Sequence, residues 1–113
     1  MPRKLLYLVS EDWYFLSHRL PMARAAKIAG YEVHVATRVV DGGRQIEGEG
    51  FILHPLPWRR GSINPLQVVN TIIEVRKLYQ RLRPDIVHHV AFGPAVIGSI
   101  AALGIPMAKL NAL

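Results

Sequence analysis

The chain has 113 residues, no cysteine, and 14 Lys and Arg against 8 Asp and Glu, a formal charge of +6. One domain with its own core fits that length, and the absence of cysteine excludes a disulfide framework, a thiolate nucleophile and a cysteine zinc site. Half of the residues are hydrophobic and 19% are charged, which excludes a disordered chain, while the excess of cations points to an anionic partner.

The basic start Met1-Pro2-Arg3-Lys4 meets Ser10-Glu11-Asp12 after a short apolar run, too short for the core of a secretory signal. That run, Leu5 to Val9, has no polar alternation and predicts a strand covered on both faces. Ser10 to Phe15 reads as a polar and aromatic loop. A helix is expected from Leu16 to Ala29, with Ser17 as N-cap, Pro21 in the first turn and Gly30 just past the end. Tyr31 to Ala36 predicts the second strand, with Val33 and Val35 alternating against Glu32 and His34. Asp41-Gly42-Gly43 is a turn, and Arg44 to Glu49 a single helical turn closed by Gly50. Phe51, Ile52 and Leu53 begin a third strand that Pro55 and Pro57 end. Trp58 to Ser62 reads as loop.

Asn64 and Pro65 open the clearest helix, since Asn caps and Pro suits the first helical position. Leu66, Val69, Ile72, Ile73, Val75, Tyr79 and Leu82 then recur with a period of about 3.6 until Pro84. Asp85 to Val90 predicts a fourth strand, Phe92-Gly93-Pro94 a turn, Ala95 to Leu103 a small-residue helix stopped by Gly104, and Ile105 to Leu110 a fifth strand. No segment reaches the ~18 uncharged apolar residues of a membrane span, so a cytoplasmic protein is expected.

Strands alternating with helices predict an α/β fold, a Rossmann-like doubly wound parallel sheet of about five strands with helices on both faces. Ligands of such sheets gather beyond the carboxyl ends of the strands. The candidate residues are therefore Ser10, Glu11, Asp12, Trp13, Tyr14, Phe15, His18 and Arg19 after the first strand. His88 and His89 lie on the fourth strand, Phe92, Gly93 and Pro94 just beyond its end, and Asn111 just beyond the end of the fifth. Helix N-termini behind Ser17 and Pro94 would aim N–H groups at an anion. The glycine patterns of dinucleotide folds and phosphate loops are absent, as is the nucleophile elbow of hydrolases. His88 and His89 are adjacent on a strand and point to opposite faces, so no shared metal is expected. Without interleaved basic and aromatic residues on a strand face, or a recognition helix, no nucleic acid is expected either.

The stretch from Ser10 through His18-Arg19-Leu20-Pro21 to Gly30-Tyr31-Glu32-Val33-His34-Val35-Ala36-Thr37 resembles the N-terminal half of family 4 glycosyltransferases, enzymes of the GT-B fold. Arg83-Pro84-Asp85-Ile86-Val87-His88 is similar to that family's fourth strand. Gly104-Ile105-Pro106 with Asn111-Ala112-Leu113 resembles the strand after it. The resemblance implies transfer of a sugar from a nucleotide-sugar to an acceptor hydroxyl, with retention of configuration and no obligatory metal. It implies an acceptor-side domain here and a separate C-terminal domain, absent from this chain, that holds most of the donor; no cofactor is implied. Two features depart from the family pattern. Ser10-Glu11-Asp12-Trp13 stands where many relatives have a Gly-Gly turn, and His88-His89-Val90 where many have His-x-His.

By their place at a strand end His88 and His89 are the candidate catalytic residues, able to hydrogen-bond a transferred sugar or its reacting groups. Glu11, Asp12, Trp13 and Tyr14 would form an acceptor platform, with aromatics on sugar faces and carboxylates on hydroxyls. Arg19 would hold a phosphate. The expected acceptor is a saccharide or lipid-linked molecule of polysaccharide or glycolipid assembly. Trp58, Arg59 and Arg60, followed by Ile63 and extended by Arg76, Lys77, Arg81 and Arg83, would face an anionic membrane from its inner side. The apolar stretch Ile105 to Leu113 would leave an exposed edge open to self-association, and the 113 residues alone are expected to be inactive. Two rivals remain: half of a sugar-nucleotide epimerase, and a free-standing α/β binding module.

Overall fold

Ten elements follow one another in the computed structural model, which describes residues 2–57, 64–90 and 92–112. They are β1 (Lys4–Glu11), α1 (Asp12–His18), α2 (Leu20–Ile28), β2 (Glu32–Arg38), α3 (Gly43–Gly48), β3 (Ile52–Pro55), α4 (Pro65–Leu82), β4 (Ile86–Val90), α5 (Phe92–Ala101) and β5 (Ala108–Ala112). The strands form one parallel sheet in the order β3-β2-β1-β4-β5. This is the expected doubly wound architecture. The chain winds outward from β1 through β2 to β3, then returns to place β4 on the other side of β1. The topological switch therefore lies between β1 and β4.

The apolar run of β1 works on both faces because the sheet is covered on both. Leu5, Tyr7 and Val9 join Val33 and Val35 of β2 against Phe15, Leu20, Ala23 and Ile46 of the first three helices. Leu6 and Leu8 join Ala36 and Val87 against Val75, Leu78, Tyr79 and Leu82 of α4 and Ala101 at the end of α5. A strand in this position has no polar face to show, hence no alternation.

The predicted loop from Ser10 to Phe15 does not exist. β1 continues through Ser10 to Glu11, and α1 begins at Asp12. The register with β2 slips between Leu8 and Glu11, so β1 carries one extra residue before Glu11 meets Arg38. The Arg38 guanidinium holds the strand end there, 3.2 Å from the Glu11 carboxylate. A bulge of this kind bends a strand end and re-aims its side chains.

The single helix expected from Leu16 to Ala29 is two helices. Chain direction changes at Arg19, whose φ of −120° and ψ of −5° are not helical. Pro21 is the cause: in an unbroken helix its ring would strike the Ser17 carbonyl, and it has no N–H to give. Ser17 consequently sits in the last turn of α1 and caps nothing. α5 likewise starts earlier than expected, at Phe92, because Pro94 falls in a first turn where its missing N–H would have no partner anyway. β5 starts later, at Ala108, after the positive φ of Gly104 (78°) and Pro106. The third strand, too, runs one residue later at its start and takes in Pro55, as an edge strand permits.

α4 begins as its sequence requires. The Asn64 side chain accepts from the Leu66 N–H at 2.9 Å, with Pro65 at the first helical position. Arg76, expected on a basic outer surface, instead turns inward along α5. Its guanidinium donates to the Ala101 carbonyl at 3.1 Å and the Leu103 carbonyl at 2.6 Å, closing that helix end. Lys77, Arg81 and Arg83 are exposed. Trp58, Arg59, Arg60 and Ile63 lie outside the described residues. Among the described residues no helix is long and apolar enough to cross a membrane.

Candidate functional site

Asp12 stands where β1 turns into α1, and it is completely buried. Its Oδ1 accepts from the Trp13 N–H at 2.8 Å, and its Oδ2 accepts from the N–H groups of Val40 and Gly42 at 2.8 and 2.7 Å. Burial alone would raise its pKa, but the donors of Val40, Gly42, Trp13 and Asp41 outweigh that and hold it below the ordinary carboxyl value. Gly42 leaves no slack, since a Cβ there would lie 2.8 Å from Leu16 Cδ1 and 3.2 Å from Asp12 Oδ2. Asp12 is thus a clamp on the β2–α3 connection and not part of an acceptor platform. Glu11 is also buried and is committed to Arg38. Both carboxylates leave the predicted platform for the same reason: a strand end at the bulge needs its backbone and its neighbours tied down.

Replacing Asp12 by Asn is expected to cost about 2 kcal/mol, because an amide nitrogen would face backbone donors that a carboxylate satisfies. Urea unfolding at neutral pH checks this; a loss below about 0.5 kcal/mol would remove the clamp from the account.

The aromatic residues of this stretch do come together. Trp13 is 43% exposed and meets Tyr14 edge to face at 5.8 Å. Tyr14 stacks on His18 at 4.2 Å and 19°, one helical turn on, and the His18 Nδ1 lies 3.2 Å from the Tyr14 carbonyl. α1 therefore presents Trp13, Tyr14 and His18 as one stack just past the carboxyl end of β1. The spacing i, i+4 on a helix makes the Tyr14–His18 pair, which a loop over the same residues would not form.

A second group lies beneath it, on the same face of the sheet. Tyr7 of β1 and His88 of β4 are register partners and stack at 5.2 Å and 28°. Phe15 of α1 packs its ring on Tyr7 at 5.3 Å. Arg19 follows Phe15 by one turn and donates its backbone N–H to the Phe15 carbonyl at 2.8 Å. Its side chain brings a positive charge to this group. Burial, then Arg19, then His89 hold His88 below the ordinary imidazole value. Burial raises the Tyr7 phenol, with Arg19 opposing. His88 is consequently neutral at pH 7, and Tyr7 keeps its proton. Tyr7 was overlooked in the sequence because it sits inside an apolar run. The signal was its hydroxyl, which needs a partner wherever a tyrosine is buried.

His89 points the other way, as adjacency on a strand requires. It is completely buried. Its Nε2 lies 2.9 Å from the Tyr79 hydroxyl of α4. Gly98 of α5 leaves room for its ring, because a Cβ at 98 would come within 2.5 Å of His89 Cδ2. His89 is a core histidine locked between two helices, so the structure withdraws it from the candidate catalytic pair. His88 stays, two residues short of the end of β4. Ser10 ends half-buried at the β1 terminus, Phe92 and Gly93 open α5, Pro94 is buried in its first turn, and Asn111 is the register partner of His89.

Another histidine pair went unread in the sequence. His34 of β2 and His54 of β3 stack at 5.1 Å, with His34 Nδ1 and His54 Nε2 only 2.8 Å apart. Glu32 Oε2 lies 3.5 Å from the far nitrogen of His34. This pair occupies the edge of the sheet away from the switch, near Arg81 of α4. Among the described residues no group of His, Asp or Glu is placed to hold a metal ion.

Comparisons with known proteins agree with this fold. A family model described as "Glycosyl transferase 4-like" matches residues 4–110. No curated protein matches the chain in sequence. Among solved structures, a glycosyltransferase from Rickettsia africae is similar over 97% of this chain and 29% of its own, with a TM-score of 0.75 and 16% identity. The MurG protein of Acinetobacter baumannii is similar over 97% of this chain and 35% of its own, with a TM-score of 0.74 and 16% identity. A UDP-N-acetylglucosamine 2-epimerase superposes with a TM-score of 0.72 at 12% identity, over 98% of this chain and 33% of its own. The chain thus spans about a third of the length of these proteins, and at such identities the likeness is one of fold. The family match covers nearly the whole sheet, from the first residue of β1 into β5, and on it the chain belongs to the glycosyltransferase 4-like family.

Proposed function

We propose that this domain forms the acceptor-side wall of a glycosyltransferase whose nucleotide-sugar is held mainly by a second domain. The observation that carries the reading is the Trp13–Tyr14–His18 stack at the carboxyl end of β1, beside the topological switch. Flat, half-exposed aromatic faces suit the apolar face of a sugar ring, while neighbouring polar atoms take its hydroxyls. In the reaction the bond from the anomeric carbon to the diphosphate breaks and a bond to the acceptor hydroxyl oxygen forms. The hydroxyl proton passes to a basic atom of the cleft, and the departing diphosphate takes the electron pair. Sheet-end dipoles and side chains fixed in advance would stabilise the charge on that leaving group.

In a chain joining this domain to a nucleotide-sugar-binding half, Trp13→Ala is expected to raise the acceptor KM by about three- to tenfold, the range set by one ring stacking interaction. Hydrolysis of donor without acceptor should hardly change. An acceptor KM that stays put, with kcat also unchanged, would overturn the reading. The epimerase likeness favours one rival, conversion of a nucleotide-sugar into its 2-epimer. Product analysis separates the two, because epimerisation needs no acceptor.

A further inference from the structure

A cavity of 210 Å³ opens between the edge strand β3 and α4, lined by His54 and Leu56 on one side and by Glu74, Lys77, Leu78 and Arg81 on the other. It lies beside the outermost strand of the sheet, two strands from β1 and the switch point. Pockets for drug-sized ligands start at about 300 Å³, so this one suits a molecule of a few carbons.

The charge on its wall is uneven. α4 sets Lys77 and Arg81 one turn apart over the cavity, with Glu74 one turn earlier. Lys77 Nζ and Glu74 Oε1 are 3.8 Å apart at the surface. Arg81 has no hydrogen-bond or ion-pair partner among the described residues. His54 is neutral at pH 7, pushed down to about 4 by burial, by His34 and by Arg81. Two cations against one anion leave a surplus of one positive charge. A carboxylate answers it with one negative charge, whereas a phosphate monoester brings about −1.5 to −2. The guanidinium fork also matches the two coplanar oxygens of a carboxylate.

The histidine pair adds an acceptor. The His34 Nε2 is buried without a hydrogen bond, and Glu32 Oε2 lies 3.5 Å from it. A lone pair facing a carboxylate is repelled, so the single proton of neutral His34 sits on Nε2. Its Nδ1 then accepts, and His54 Nε2 donates to it across 2.8 Å. That uses the one proton of the neutral His54 ring. The His54 Nδ1 is left with a lone pair that no described residue engages, on a half-buried ring that lines the cavity. A lone pair takes a donor, and a ligand hydroxyl is one.

We infer that the cavity between β3 and α4 binds a small hydroxy acid, its carboxylate on Arg81 and Lys77 and its hydroxyl donating to His54 Nδ1. The site is independent of the transferase reading, since it shares no residue with the aromatic stack beyond β1 and lies on another strand of the sheet.

The test is an NMR titration of the chain with lactate, propionate, glucuronate and inorganic phosphate, following the ring nitrogens of His54. Lactate and propionate differ by one hydroxyl. Lactate should give a saturable shift of the Nδ1 resonance and bind about three- to tenfold tighter than propionate. Arg81→Gln, at an exposed position, should weaken lactate binding on the order of tenfold. His54→Phe keeps a ring and removes the acceptor, so lactate and propionate should then bind alike; if that variant does not fold, the ratio in the parent chain still decides. Glucuronate binding tighter than lactate would identify a sugar acid as the ligand, and the reverse a short-chain hydroxy acid. Equal binding of lactate and propionate by the parent chain, phosphate binding tighter than lactate, or equal lactate binding by Arg81→Gln and the parent would overturn the site. So would shifts at His88 in place of His54. None of these results touches Trp13 and acceptor KM, so this site and the transferase reading fail separately.

Discussion

Acidification from pH 7 to about 4.5 is expected to remove about 2–3 kcal/mol of stability, most of it above the range in which the carboxylates titrate, through the His34–His54 pair. Burial, the neighbouring His34 and then Arg81 push His54 from 6.5 down to about 4. His34 is lowered as well, by burial first, with Glu32 opposing and Lys4 adding to the fall. At pH 7 both rings are neutral folded or unfolded, and the pair contributes no pH dependence. Below the unfolded value of 6.5 the unfolded chain takes up a proton that the folded pair refuses, so stability falls as pH falls. Each unit of difference is worth about 1.4 kcal/mol, and the loss from His54 is complete near its folded value. The geometry explains the refusal: Nδ1 and Nε2 stand 2.8 Å apart and share one proton, so a second would set N–H against N–H. His88, lowered too, adds to the same slope. Urea unfolding at several pH values measures it. His54→Gln should remove most of the slope between pH 6.5 and 4.5, and a slope unchanged in that variant would refute the assignment to this pair.

That pair could not have been found in the sequence, and the reason is topological. His34 and His54 are 20 residues apart and meet only because β2 and β3 are parallel neighbours in register, His34 beside Ile52 and Ala36 beside His54. Periodicity within a strand tells which face a side chain takes, not which residue of another strand faces it. What periodicity does tell, it told well. The unalternating run Leu5 to Val9, the helical repeat after Asn64 and the turn glycines place every strand of the sheet. The opposite facing of His88 and His89 follows from strand geometry alone, and so does the loss of one of them to the core. The stretch from Ser10 to Phe15 has the composition of a loop because its polar residues carry no local sign that they are buried. Glu11 and Asp12 are buried, one against Arg38 and one against backbone N–H groups, and no local pattern signals a partner that comes from the β2–α3 connection. Moving that stretch into a helix is what brings Tyr14 onto His18 and Phe15 onto Tyr7. The candidate site was legible as a list of residues after β1; its division into an outer aromatic stack and an inner group of donors was not.

Gly98→Ala, a change that stabilises most helices by up to about 1 kcal/mol, is expected here to destabilise by about 3 kcal/mol. The new methyl would press on the His89 ring, within 2.5 Å of Cδ2, and on Leu8 Cδ2 at 2.8 Å. His89 has nowhere to retreat, since it is fully buried and held by the Tyr79 hydroxyl at 2.9 Å. If it turned away, it would leave that phenol, already disfavoured from ionising by burial, without the ring nitrogen it faces. The alternative is for α5 to lift off the sheet, which would open the packing of Ala101 and Ala102 against Leu6 and Val87. Either response is costly, so the sign reverses relative to an exposed helix. The double variant with His89→Ala discriminates between a general intolerance of α5 and this particular contact. His89→Ala alone opens a cavity and loses stability. In its presence the methyl at 98 enters empty space, and the added cost of Gly98→Ala should fall by about 2 kcal/mol, leaving only the tip of Leu8 to give way. Additive losses in the two single variants and the double would show that His89 is not what Gly98 makes room for.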